Sequence, residues 1–161
     1  MTDISLALDS NGYFDLILES AVDGLDLSRD DDLQTAVAWS LFVDRRADSG
    51  DRLPTGQDDR RGWCLDYLND NEDDRIGSRL WLIQGAKSFE ESRRSAEDIG
   101  AEALSWLLSD RVAREVAVTA SLQRFPFGKD ADVTTVLSID IAIVRSDERR
   151  WQHVWRIALD G

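Results

Sequence analysis

Apolar residues recur along this chain with two periods, and the change between them falls near Val112. At the start, Ile4, Leu6 and Leu8 alternate with small or polar residues, residues 9–12 form a turn signal ending in Gly12, and residues 13–18 alternate again. This pattern predicts an N-terminal β-hairpin with Leu6, Leu8, Phe14, Leu16 and Leu18 on its core side. A short extended piece is expected at Leu25, Asp26 and Leu27. Ser28 and the aspartates at 30, 31 and 32 then offer cap and dipole chemistry for a helix reaching Val43. In that helix Leu33, Val37, Ser40 and Leu41 share a stripe, and Ala36, Trp39, Phe42 and Val43 widen it, which predicts burial on more than one side.

A polar segment with Gly50, Pro54 and Gly56 follows, then a helical turn over residues 63–68, a solvated acidic loop at 70–74, and a helix from Arg75 to Ile83 ended near Gly85. Ser88 with Glu91 three residues on matches a capping box. The helix it starts is expected to run to about Ser109, burying Ala96, Ile99, Ala103, Trp106 and Leu107 and turning Arg93, Arg94, Glu97, Asp98 and Glu102 outward.

From Val112 the period is two. Val116, Val118, Ala120 and Leu122 alternate with Glu115, Ala117, Thr119 and Ser121; after a loop at residues 125–128, Val133, Leu137, Ile139, Ile141 and Ile143 alternate with Thr134, Ser138 and Asp140. A last strand puts Trp151, His153, Trp155, Ile157 and Leu159 on one face and Gln152, Arg156 and Asp160 on the other. Three antiparallel strands with one buried face are the expectation. The fold class is therefore α+β: an N-terminal β-hairpin, central helices and a C-terminal three-stranded antiparallel meander packed against helices, as one domain over residues 1–161.

Composition narrows the partners. A net charge of -13, from 32 acids against 19 bases, is a poor match to a phosphate backbone, so nucleic acid is not an expected partner. No apolar run approaches the ~20 residues of a membrane helix, and no membrane partner is expected. Cys64 is the single cysteine and no charged-then-apolar leader precedes Asp3, which together predict synthesis and folding in a reducing cytoplasm. Lys87 and Lys129 are the only lysines; the other cations are arginines, paired at 45–46, 60–61, 93–94 and 149–150. Arginine's planar fork binds carboxylates bidentately and suits ion-paired protein interfaces. Asp59, Arg60, Arg61 and Trp63 present such forks beside an aromatic ring, a composition for gripping another protein.

Motifs for chemistry fail on inspection. Asp70, Glu72 and Asp74 alternate as in a calcium loop, but Arg75 stands where the turn needs Gly and Trp81 where a bidentate Glu is needed. One histidine and one thiol leave zinc short of nitrogen and sulfur ligands, and His153 has a simpler place among core-facing aromatics. Asp58 and Asp59 sit beside arginines that favour ionised carboxylates, whereas a general acid needs a raised pKa. No phosphate-cradling glycine loop or nucleophile elbow is present, and no cofactor is expected.

Five blocks in order resemble one family: residues 31–37, residues 40–47, Asp59-Arg60-Arg61-Gly62-Trp63, residues 75–82 and residues 103–107. They resemble the baseplate wedge proteins of Mu-like contractile-tailed phages, a family related to the sheath initiators of contractile injection machines. The resemblance implies a structural virion protein without catalysis, assembled in the host cytoplasm in six copies per baseplate, with other wedge proteins, the tail sheath and the tail tube or hub as partners. Many sheath initiators carry a Glu-Pro-Arg-type motif at the wedge contact; Asp59-Arg60-Arg61 keeps its alternation of acid and cation without the proline.

Two functions from different classes remain. One is an assembly protein, with Asp59, Arg60, Arg61, Trp63, Trp151, His153, Trp155 and Arg156 as candidate partner-binding residues. The last strand is a candidate for pairing with another chain, unless the N-terminal hairpin covers its edge. The other is a tail-borne cell-wall glycosidase using paired carboxylates.

Overall fold

The period-two segment folds as the expected meander: β7 (Ala113–Pro126), β8 (Val133–Arg145) and β9 (Arg150–Leu159) pair antiparallel in that order, with β8 in the middle. The computed structural model describes residues 33–54, 56, 58–63, 66, 76–85, 88–126 and 133–159, and the backbone of short strand segments between residues 3 and 30. Leu137, Ile139, Ile141 and Ile143 of β8 are each no more than 1% exposed. Burying one such side chain contributes about 1.5–3 kcal/mol, so this row is the largest continuous source of stability in the sheet. Val136 and Ser138 are buried as well, on the other face. The expectation of a single buried face is corrected there: the second face is also covered at that end of the sheet. β7 is longer than expected, since Phe125 and Pro126 pair with Thr134 and Val133 instead of forming a loop.

Backbone ladders near the N-terminus join β1 (Asp3–Ile4) to β6 (Arg29–Asp30), β2 (Leu6–Leu8) to β3 (Phe14–Leu16), and β4 (Leu18–Ala21) to β5 (Gly24–Leu27), all antiparallel. The β2–β3 pair is the expected hairpin, and β5 contains the expected extended piece. The side chains assigned to the hairpin's core, with Ser28, Cys64 and the acidic run at 70–74, lie outside the described residues.

The helical layer departs from the periodic reading at three points. α1 (Gln34–Phe42) begins later, with Leu33 at its N-cap and no capping side chain, because Asp30 is already paired with Asp3 in a ladder. Its burial extends beyond one stripe, as the pattern predicts: Thr35, Val37, Ala38 and Leu41 are buried, while Trp39 is 44% exposed. The helix expected from Arg75 shrinks to a 3-10 helix, Leu80–Gly85. Gly77 takes φ 93° and Ser78 is stitched to the chain after α1, donating its N–H to Val43 O at 2.9 Å and accepting the Arg45 N–H at 2.9 Å, which no helical residue could do. α2 (Phe89–Ala103) does start at a capping serine, Ser88 Oγ accepting the Glu91 N–H at 3.2 Å. The expected run to Ser109 is interrupted by a turn at residues 104–105, after which α3 (Trp106–Ser109) follows. The break lets both Leu104 and Leu107 bury fully.

α2 lies on β7 at glycine distance, since a Cβ on Gly100 would come 2.9 Å from Val118 Cγ1. α1 reaches β9 through Phe42, whose ring meets Trp155 edge-on with centroids 5.8 Å apart. Trp106 Nε1 donates to Ser40 Oγ at 3.0 Å and ties α3 to α1. No helix of the described residues is long and apolar enough to cross a membrane.

Candidate functional site

The eight candidate residues fall into two groups on different elements. The first lies in a strap that leaves α1, runs out to residue 62 and is held from below by Gly77, Ser78 and Trp81. Asp59 Oδ1 accepts the Arg61 N–H at 2.8 Å, a local turn that sets Arg61 at φ 51° and passes the reversal to Gly62 at φ 128°. Arg60 donates its guanidinium to the Asp48 and Ser49 carbonyls, and its own carbonyl accepts the Ala47 N–H at 2.9 Å. Arg61 pairs with Asp44 at 2.8 Å and lies over the buried Trp81 ring, its guanidinium carbon 4.5 Å from the centroid. Trp81 Nε1 donates in turn to Arg45 O at 3.0 Å. Asp59 is exposed, and Arg60, Arg61 and Trp63 are half-buried.

A second knot braces the strap against α2. Arg79 reaches Asp48 at 3.0 Å, Asp51 at 3.0 Å and Glu102 at 2.6 Å, and Arg45 also takes Glu102 at 3.1 Å. The arginine forks of this region are therefore largely committed to the chain's own carboxylates and carbonyls, which fixes the strap's shape. What it offers outward is a rigid rim with Asp59 and the half-buried Trp63.

The second group is on β9. Trp155 is buried, Trp151 and His153 are half-buried, and Arg156 is exposed on the opposite face. His153 forms a three-ring cluster with the two indoles, 4.3 Å from the Trp155 centroid and 6.0 Å from that of Trp151, which are 5.9 Å from each other. Burial pushes its imidazole below the ordinary value of 6.5. Below that value the unfolded chain takes up a proton that the folded chain resists. Stability is therefore full above the ordinary value and declines as pH falls through it, until the folded histidine also titrates. His153 is the only histidine, so its slope can be isolated. Urea midpoints measured from about pH 7.5 down to about 5.5 are expected to fall for the wild type and to flatten for His153→Phe. Equal slopes in the two proteins would exclude a buried neutral imidazole.

The two outer edges of the sheet are not equivalent. Ala120, near the middle of β7, gives its N–H to Glu97 Oε1 on α2 at 2.9 Å, so that backbone group faces away from β8. Inward and outward groups alternate along a strand. Ala120 pairs with Ile139 and Ile139 with Trp155, so Ile139 directs its backbone toward β9 and Trp155 returns its own to β8. The Arg145 N–H donated to Arg149 O at 2.9 Å and the Ser146 N–H donated to Val112 O at 3.0 Å obey the same parity. Even-numbered residues of β9, namely Gln152, Val154 and Arg156, consequently point their N–H and C=O groups at the outer edge. Among the described residues β9 pairs with β8 alone, and the N-terminal ladders pair only with one another. Sequence reading put Glu97 on a solvated helix face and did not see its role at the β7 edge. A helical pattern shows which residues face out, but not which of them reach a neighbouring strand.

Residues 33–150 match the family described as phage protein GP46, from the first residue before α1 through the start of β9. The chain belongs to the GP46 family of phage proteins. It is 45% identical over 107 residues to the baseplate protein gp46 of Escherichia phage Mu, covering 66% of this chain and 68% of that protein. It is 32% identical over 156 residues to the Mu-like prophage FluMu protein gp46 of Haemophilus influenzae, covering 97% and 96%. The GP46 match holds the strap and the β7 edge, whereas nearly all of β9 lies beyond it; the Haemophilus alignment runs over almost the whole chain.

Proposed function

We propose that this GP46 protein is a structural component of a contractile phage tail baseplate that joins the wedge core through its strap and starts the sheath through β9. The observation that carries the second half is the outer edge of β9. Among the described residues the backbone groups that Gln152, Val154 and Arg156 direct there have no strand partner, beside a half-open aromatic row, while at the opposite edge the central Ala120 N–H is taken by Glu97. An extended segment from a sheath subunit satisfies such groups by adding a strand. The identity to the Mu baseplate protein supports the location in the virion tail. Other wedge proteins and the tail tube or hub are the remaining partners of this reading, with six copies around the axis and assembly in the bacterial cytoplasm.

The carboxylates support assembly over glycoside hydrolysis. Among the described residues, those whose titration is displaced move down: Glu97 through the Ala120 N–H it accepts, and Asp147 through the Arg149 side chain. A general acid requires displacement upward.

The test is complementation of a phage lacking this chain, with tails imaged for wedge completion and sheath growth as separate readouts. For the strap, Arg60→Ala with Trp63→Ala is expected to impair wedge assembly more than subunit folding. Exposed polar contacts are worth about 0–1 kcal/mol of stability, whereas an Arg or Trp at the centre of an interface is worth about 2 kcal/mol or more of binding. Normal wedge assembly with the soluble double variant removes the strap from the interface.

A further inference from the structure

Glu97 is placed as a plug. Its Oε1 takes the Ala120 N–H at 2.9 Å and is held there by Arg93 Nη1 at 2.8 Å, and Arg93 is steadied in turn by Glu90 at 3.2 Å. The strand it closes is otherwise well suited to pairing. By the parity established above, Val116, Val118, Ala120 and Leu122 direct backbone groups outward, and residues 117–123 contain no charge and no proline. The usual devices that blunt an edge stand only at the ends of β7, as the register shift between Ala113 and Glu115 and as Arg124 and Pro126.

We propose that Glu97 gates a second strand-pairing edge on β7, and that the partner this edge fits is the β7 of a second copy of the chain, laid antiparallel about Ala120. The strand is complementary to itself in that register. Ala120 meets Ala120 as an outward pair exchanging both backbone hydrogen bonds, Thr119 meets Ser121, Val118 meets Leu122 and Ala117 meets Gln123. Further out, Glu115 meets Phe125 and Arg124 meets Val116, so no like charges face each other. With Glu97 in place the central N–H is already taken, and the dyad would bring two carboxylates together. The gate thus keeps β7 from self-pairing and leaves β9 as the edge that accepts a strand.

Sedimentation velocity over a concentration series tests the gate on the full chain. Glu97→Ala is expected to dimerise at least about tenfold more tightly than the wild type, and Glu97→Ala with Ser121→Lys, which sets a cation on the pairing run, to return to monomer. Circular dichroism establishes that each variant is folded. If Glu97→Ala does not fold, Glu97→Leu keeps much of the side-chain volume without an acceptor for the Ala120 N–H and carries the same expectation. A folded variant that stays monomeric overturns the proposal, as does association that the lysine fails to reverse. Neither readout involves sheath, so this result and the fate of the β9 reading are independent.

Discussion

Val154→Pro is expected to leave the subunit folded and to stop sheath growth on completed baseplates, whereas Trp155→Pro, one residue along, unfolds it. Proline removes a backbone donor and is tolerated in a sheet only where that donor faces away from the ladder. At Val154 the donor faces the outer edge, so the cost is confined to local strain, about 1 kcal/mol, and to whatever strand pairs there. At Trp155 the donor belongs to the β8 ladder, and the buried indole packed against Phe42 and His153 is lost with it. Loss of a buried Trp alone costs about 3–5 kcal/mol, and a proline within a ladder adds to that, against a typical total stability of about 5–15 kcal/mol. Thermal melts separate the two variants, and electron microscopy of tails assembled with Val154→Pro reads the function. A folded Val154→Pro that supports normal sheath ends the strand-addition reading. A folded Trp155→Pro beside an unfolded Val154→Pro means the parity is inverted.

The second large effect is expected at Gly77. Its φ of 93° lies where side chains are rarely accommodated, and a Cβ there would come 2.8 Å from the Val43 carbonyl carbon, a backbone atom with little room to yield. Strain of about 1–3 kcal/mol adds to the displacement of the Ser78 stitch, so Gly77→Ala should lose about 3 kcal/mol or more and lower Tm by about 10 °C. Because Ser78 bonds to Leu41, Val43 and Arg45, the loss is expected to spread to the strap, read as faster amide exchange at Arg45 and Ala47. A melt unchanged within a degree or two would mean the strap is not held through this contact.

Particular residues show why the sheet was legible and the site only partly so. The alternation of Ile139, Ile141 and Ile143 fixes a strand and its buried face, because side chains alternate with period two. The backbone direction at each residue alternates with the same period, yet nothing in the sequence ties it to one edge or the other. Contacts in the folded chain anchor it: Glu97 to Ala120, and the Arg145 and Ser146 N–H groups to Arg149 and Val112. The helix expected from Arg75 failed because Gly77 and Ser78 answer to Val43 and Arg45, more than thirty residues away, and not to their neighbours. Trp39 counts as core in a pattern that scores apolarity alone, yet it is the residue of α1 left 44% exposed. Paired arginines suggest forks for a partner, and the structure spends Arg61 on Asp44 and Trp81, a use that depends on contacts 17 and 20 positions away.

The contact between Glu97 and Ala120 also has an order in time. The two residues are 23 positions apart and α2 precedes β7, so the plug leaves the ribosome before the strand it closes. β8 then covers the other side of β7, and β9 follows. Every stretch of β7 is therefore made on a chain that already carries its carboxylate.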